Sequence, residues 1–316
     1  MPRPDDSTLT PSELAKVRKE AERALQQAGA LGVLPTPIDE IMRVAQIREI
    51  EEDVLNPSFV AKIVAKAEKA GQAIRHALSK VMGLFHASEG LIFIDRTLMK
   101  VKQRFVRLHE SAHGFLPWQR PMYSLVQDGE SALDPDTADL FDREANTFAS
   151  EVLFQLDTFR DEAEAMSFDI WTPVRLAKKF NASNYAAIRQ YVSKNHRTCA
   201  VVVLNMPELD PIVGFRATLR RVVGSESFLQ LFAGQIWPEV YTPDDDIGRF
   251  VPLHGRRASG KRQLGLTDVN GQLHDCIAES FSTGHQVFVL IHVTKALTAK
   301  RIILGSSAAQ GSRQAD

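Results

Sequence analysis

The segment Arg104-Phe105-Val106-Arg107-Leu108-His109-Glu110-Ser111-Ala112-His113-Gly114-Phe115 constrains this chain more than any other. Two histidines stand four residues apart, with a glutamate directly after the first. On a helix, residues four apart lie one turn above the other on the same face, so both imidazoles can bind one metal ion. Glu110 projects about 100° round the axis, where it can hold and deprotonate a water activated by that ion. Phe105, Leu108 and Ala112 recur at helical spacing and offer a face to bury. Gly114 is the expected C′ residue, and Pro117 follows at the distance of a helix stop. The alternative is two histidines on a solvated face with an unrelated glutamate between them. The apolar helical setting and a later carboxylate segment favour the metal site.

A catalytic zinc takes three protein ligands and keeps one position open, so a carboxylate from a second helix is needed. Residues 140–153 supply it: Phe141, Ala145, Phe148, Ala149 and Val152 follow helical periodicity. Asp142 and Glu144 are the two candidates. Asp142 is preferred because Asn146, one turn on, can hydrogen-bond it as support for a metal ligand. The alternative is that both are solvated helix charges.

The rest of the chain is scaffold by comparison. With 316 residues, 44% hydrophobic and 24% charged, it has ample core material for two domains or two plus a connector. A net charge of −1 gives no global argument for nucleic acid or membrane. The polar N-terminus lacks the apolar core of a signal peptide, and the apolar runs are too short to span a bilayer, so a cytoplasmic protein with no membrane partner is expected. Cys199 and Cys276 make no metal-type pair and read as buried thiols. Thr10, Pro11 and Glu13 form a capping-box start for a helix to about residue 28, and a short helix follows through Val44. Residues 57–76 read as a third helix. Residues 81–86 and 91–95 read as a β-hairpin leading into the HExxH helix, either a plain structural hairpin or one whose edge holds an extended peptide. The Pro-containing stretch 114–139 reads as an irregular connection.

Residues 172–192 read as helix, turn, helix, with Asn181-Ala182-Ser183 at the turn. Between Arg175 and Arg197 stand six Lys/Arg and no Asp or Glu, which suits DNA or an acidic surface. A packed connector with a solvated basic face is the favoured alternative. From Thr198 the composition turns β-rich: strands are expected at 199–204, 213–219, 227–232 and 286–293, with a strand or short helix at 273–281. Arg256, Arg257, Lys261 and Arg262 read as a basic loop, either a solvated one or an anion contact. The fold class is therefore α+β. It comprises a mainly helical peptidase-type domain with a small β-hairpin at 1–158, a helix-turn-helix-like connector at 159–197, and an α+β domain at 198–316.

These motifs resemble the ImmA/IrrE family of bacterial zinc metallopeptidases. The resemblance rests on Arg104-Phe105 before His109-Glu110-Ser111-Ala112-His113, on Asp142-Arg143-Glu144-Ala145-Asn146-Thr147-Phe148-Ala149, on the hairpin, and on Phe180-Asn181-Ala182-Ser183. It covers about residues 10–197. The family usually has Glu at the position of Asp142, and a Leu-Met-Pro-like ending where this chain has Leu153-Phe154-Gln155. It implies a zincin-like fold and Zn2+ on His109, His113 and Asp142, with Glu110 as general base. Tyr123 is a candidate donor to the developing oxyanion. The implied activity is cleavage of a helix-turn-helix repressor, derepressing stress, phage-defence or mobile-element genes. The last third then corresponds to a GAF-like sensor, and its basic loop at Arg256 to Arg262 makes DNA or a nucleotide the effector class to expect. Two rivals stand beside it: a non-catalytic DNA-binding regulator with a structural metal, and a hydrolase of small amides.

Overall fold

The computed structural model describes residues 8–49, 83–86, 90–94, 96–127, 134–253, 255 and 257–294. The helix expected at 57–76, the hairpin connection 87–89, Arg256 and the tail after Leu304 lie outside the described residues. Helix α1 (Pro11–Gln27) begins with the reciprocal cap read from the sequence. The Glu13 amide donates to the Thr10 hydroxyl at 3.4 Å, and the Thr10 amide donates to the Glu13 carboxylate at 2.8 Å. It ends where Gly29 takes φ +60° and the Ala30 amide reaches back to the Leu25 carbonyl. Its buried stripe of Val17, Ala21, Ala24 and Leu25 faces the later helix α5.

Helix α2 (Ile38–Val44) leads to β1 (Arg48–Glu49). Strands β2 (Gly83–His86) and β3 (Leu91–Ile94) form the expected antiparallel hairpin, Phe85 opposite Ile92. β1, too short for any periodicity to reveal it, pairs in parallel with β3, so β2 is an edge strand among the described residues. Gly90 makes this pairing possible. It sits at φ +63°, and a Cβ there would lie 2.4 Å from the Gln46 carbonyl oxygen.

Helix α3 (Lys100–Phe115) carries the HExxH segment and does not stop at Gly114, which lies inside it; Leu116 is the cap. Gly114, Phe115 and Leu116 are all buried, so packing extends the helix past a residue that would end an isolated one. Nor is the following stretch irregular. Helices α4 (Gln119–Gln127) and α5 (Pro135–Leu153) occupy most of it, the second capped by Asp134 with Pro135 in its first turn.

Helices α6 (Thr158–Glu164), α7 (Trp171–Lys179) and α8 (Asn184–Ser193) complete the helical part. Asn181 makes the α7–α8 turn at φ +50°, and the Ser183 hydroxyl accepts the Ala186 amide at 3.1 Å. The basic residues here are largely answered from elsewhere. Lys179 pairs with Glu162 at 2.6 Å, Lys194 with the buried Glu151 at 2.7 Å, and the Arg197 guanidinium lies over the Phe168 ring. No residue of α8 before Ser193 is fully exposed.

Beyond it lie β4 (Cys199–Asn205), β5 (Glu208–Asp210), β6 (Gly214–Gly224), α9 (Glu226–Leu231), β7 (Val240–Tyr241), β8 (Ala258–Thr267), β9 (Leu273–Ser282) and β10 (Gln286–Val293). They form an antiparallel sheet in the order β5-β6-β4-β10-β9-β8, with β7 on β6. The strand expected at 227–232 is instead α9. Ser225 caps it by accepting the Phe228 amide, and Phe228 meets Phe232 one turn on. The basic loop is also corrected. Lys261 and Arg262 belong to β8, where a bulge between Ser259 and Arg262 lets the strand continue. Lys261 donates to the Phe168 carbonyl at 3.0 Å, and Arg262 donates to the Arg249 carbonyl and lies over Phe250.

The segregated helices and antiparallel sheet make an α+β molecule. The central strand β4 is buried on both faces. Val201 and Val203 join the core that runs through α1, α3, α5 and α8, while Ala200, Val202 and Leu204 face a second core with Phe228, Tyr241 and Phe250. No described helix is long and apolar enough to cross a membrane.

Candidate active site

Three contacts set the rotation of α3. Arg107 bonds Asp39 and Glu49, each at 2.8 Å, and Arg104 donates to the Thr36 carbonyl at 2.8 Å, which ties the helix to α2 and β1. Leu108 and Ala112 are fully buried. The opposite flank turns His109 and His113 toward α5, and their Nε2 atoms stand 3.3 Å apart. Asp142, on α5, brings Oδ1 to 3.4 Å from His109 Nε2.

The outer nitrogens are engaged as well. His109 Nδ1 is 3.1 Å from Asn146 Oδ1, and the Asn146 amide donates to Asp142 Oδ2 at 3.3 Å. Asn146 thus touches both a histidine and the carboxylate, the supporting position read from its spacing. His113 Nδ1 is 2.7 Å from Gln119 Oε1. Glu144 has a different neighbourhood. It is buried, and one carboxylate oxygen accepts from Trp118 Nε1 at 2.7 Å and from Gln119 Nε2 at 2.6 Å. Two residues along a helix are about 200° apart, so Asp142 and Glu144 cannot both face the histidines.

Burial dominates the electrostatics. It pushes the Glu110 carboxyl up to about 7, with His109 opposing and Asp142 assisting. It pulls the His113 imidazole down to about 3. Burial also pulls on His109, but the hydrogen bond to Asp142, with the charges of Glu110 and Asp142, outweighs it and leaves that imidazole above its ordinary value. Tyr123, from α4, lies 4.7 Å ring to ring from His113. Burial, together with the nearby negative charges of Glu110 and Asp142, raises its hydroxyl well above the usual tyrosine value.

Among the described residues no group of three or more His, Cys, Asp or Glu side chains stands gathered as a metal site. The donor types nonetheless suit zinc, and two of the three ligand-to-ligand edges are in place. With Zn–N near 2.0–2.1 Å, neighbouring ligand atoms of a tetrahedral site are about 3.3 Å apart. The Nε2–Nε2 and Nε2–Oδ1 separations both match that edge, and Asp142, at 57% exposure, stands on the open side. Glu110 lies beside this group without belonging to it.

Sequence reasoning passed over Trp118 and Gln119. They sit in a stretch that reads as a polar connection, and no periodicity marks them. Only the packing of α4 against α3 and α5 brings them to His113 and Glu144.

Residues 67–190 match the IrrE N-terminal-like domain family, Peptidase_M78. That span covers α3 to α7 and most of α8. In fold the chain is similar to a solved Mycobacterium tuberculosis transcriptional regulator, with a TM-score of 0.50 and 13% sequence identity over 91% of this chain and 93% of that one. No curated protein sequence matches the chain.

Proposed function

Given an IrrE N-terminal-like segment at residues 67–190, we propose that this chain is a zinc endopeptidase whose substrate is a helix-turn-helix transcriptional repressor. The observation that carries the reading is the juxtaposition of His109 Nε2 with His113 Nε2 at 3.3 Å and with Asp142 Oδ1 at 3.4 Å, from two different helices, beside a buried Glu110. His109, His113 and Asp142 would hold the ion. A bound zinc would supply Lewis acidity toward the scissile carbonyl and make a water nucleophilic near neutral pH.

Glu110 accepts the proton of the attacking water on its carboxylate and returns it to the leaving amide nitrogen. The Tyr123 hydroxyl donates to the carbonyl oxygen as negative charge develops there. The edge of β2 takes an extended peptide by strand pairing, which suits a polypeptide better than a small amide. Residues 1–158 make up the peptidase, 159–197 the connector and 198–316 a GAF-like sensor. Cleavage derepresses stress, phage-defence or mobile-element genes. The rival non-catalytic DNA-binding regulator needs a free helix face for the groove, and α8 offers no fully exposed residue before Ser193.

The test uses the full chain with any helix-turn-helix protein encoded beside its gene. Wild type is expected to hold one zinc and cleave its substrate, and His113→Ala to lose the metal. Glu110→Gln should keep fold and zinc yet lose cleavage by at least about 10²-fold, because an amide cannot accept the proton. Undiminished cleavage by Glu110→Gln would sink the mechanism, and zinc retained by His113→Ala would remove the site.

A further inference from the structure

Glu144 stands two residues from Asp142, yet it is almost completely buried and bonds neither histidine. A buried carboxylate must be answered by donors, and here the donors are the Trp118 indole at 2.7 Å and the Gln119 amide at 2.6 Å. Gln119 is itself fully buried, and its Nε2 also donates to the Phe141 carbonyl at 3.3 Å. Both neighbours of that nitrogen are acceptors, so the amide has one sensible orientation. Turning it over would set its oxygen against a carboxylate oxygen and a carbonyl oxygen, all buried together. Gln119 Oε1 is therefore held toward His113 Nδ1, 2.7 Å away. An oxygen can only accept there, so His113 must carry its proton on Nδ1. In the neutral ring its Nε2 is then a bare lone pair, facing His109 Nε2 at 3.3 Å.

We infer that Glu144 is a positioning residue that fixes the tautomer of His113 through Gln119. The chain runs from carboxylate to amide to imidazole and leaves the metal-facing nitrogen unprotonated. The same logic holds on the other ligand. The Asn146 amide donates to Asp142, so its oxygen faces His109 Nδ1 at 3.1 Å and requires a proton there as well. The two relays differ in one respect. The His109 relay ends on a carboxylate beside the metal position, whereas the His113 relay ends on one sealed in the protein, anchored by an indole. Glu144 therefore contributes without touching ion or substrate. The consequence for binding rests on the metal reading above; the tautomer does not.

The decisive variant is Glu144→Gln. It removes the charge and replaces an acceptor pair by a group with its own N–H, which frees Gln119 to turn. In metal-free protein with 15N-labelled histidine, long-range nitrogen–proton correlations read the tautomer directly. Wild-type His113 should give the Nδ1–H pattern, and Glu144→Gln should move it toward Nε2–H or a mixture. Competition with a chromophoric chelator should then show zinc affinity reduced about 10–100-fold, the usual effect of removing a group that orients a ligand. An unchanged His113 tautomer in a folded Glu144→Gln protein overturns the inference, as does complete loss of zinc with the tautomer intact, which would make Glu144 a ligand. If Glu144→Gln does not fold, Gln119→Met removes the acceptor while leaving Glu144 with Trp118, and it carries the same two expectations. Absence of zinc from wild type would defeat the metal reading but leave the tautomer measurement to decide the relay.

Discussion

At the scale of single residues, burial at the HExxH turn favours whichever form of a side chain is neutral. That raises Glu110 to about 7 and lowers His113 to about 3. The two shifts have one cause. His109 goes the other way, because Asp142 and Glu110 outweigh its burial. Tyr123, like Glu110, is raised by burial and so keeps its proton as a donor. Tyr123→Phe preserves the ring against His113 and deletes only the hydroxyl. Steady-state kinetics should show kcat lowered about 10²-fold with KM changed less than about threefold, the pattern of a lost oxyanion donor. A loss confined to KM would instead make Tyr123 a wall of the substrate cleft.

At the scale of elements, caps and turn residues account for where helices and hairpins begin and end. The β8–β9 connection shows the pH side of this. Asp268 accepts from His274 Nε2 at 2.9 Å and from the Gln272 and Asn270 amides at 2.9 and 2.8 Å. The His274 hydrogen bond, followed by those amides, holds its carboxyl below the usual aspartate range. A carboxyl whose folded pKa is depressed contributes stability above its unfolded pKa and loses it as pH falls through the folded value. Asp268→Asn is therefore expected to lower Tm at pH 7, and the gap to wild type should close below about pH 4. A gap independent of pH would mean that the hairpin depends on shape rather than charge.

At the scale of the molecule, one face of the sheet closes the helical core. Val201, Val203, Val223, Phe281, Phe288 and Leu290 pack into the same cluster as α1, α3, α5 and α8. The junction is polar as well as apolar. The Ile170 amide donates to the buried Glu279 at 3.1 Å, Lys261 donates to the Phe168 carbonyl, and Phe168 meets His292 edge-on. Residues 1–197 alone would expose the α8 face that includes Tyr185, whose ring meets Phe288 of the sheet. That fragment is expected to melt below the full chain and to associate, as a newly bared apolar patch does. Calorimetry and sizing check it, and a fragment as stable and monomeric as the full chain would show that the contact is incidental. A sensor role is therefore best tested in the intact chain.

Local rules made much of this legible in advance. Thr10, Pro11 and Glu13 announce α1, the period of Phe141, Ala145, Phe148 and Val152 announces α5, and the His109–His113 spacing puts two imidazoles on one face whatever surrounds them. Each depends on residues within a turn or two. The choice between Asp142 and Glu144 does not, because both occupy one helix and only the rotation of α5 against α3 separates them. The same holds for Trp118 and Gln119, which reach Glu144 from more than 20 positions away, and for Gly114, where burial outweighs a residue's habit of ending helices. The bulge that keeps Lys261 in β8 likewise depends on β9. Sequence determined the strongly periodic and capped elements and the spacing of the motif; tertiary packing decided which second carboxylate lies beside the histidines and which is sealed behind them.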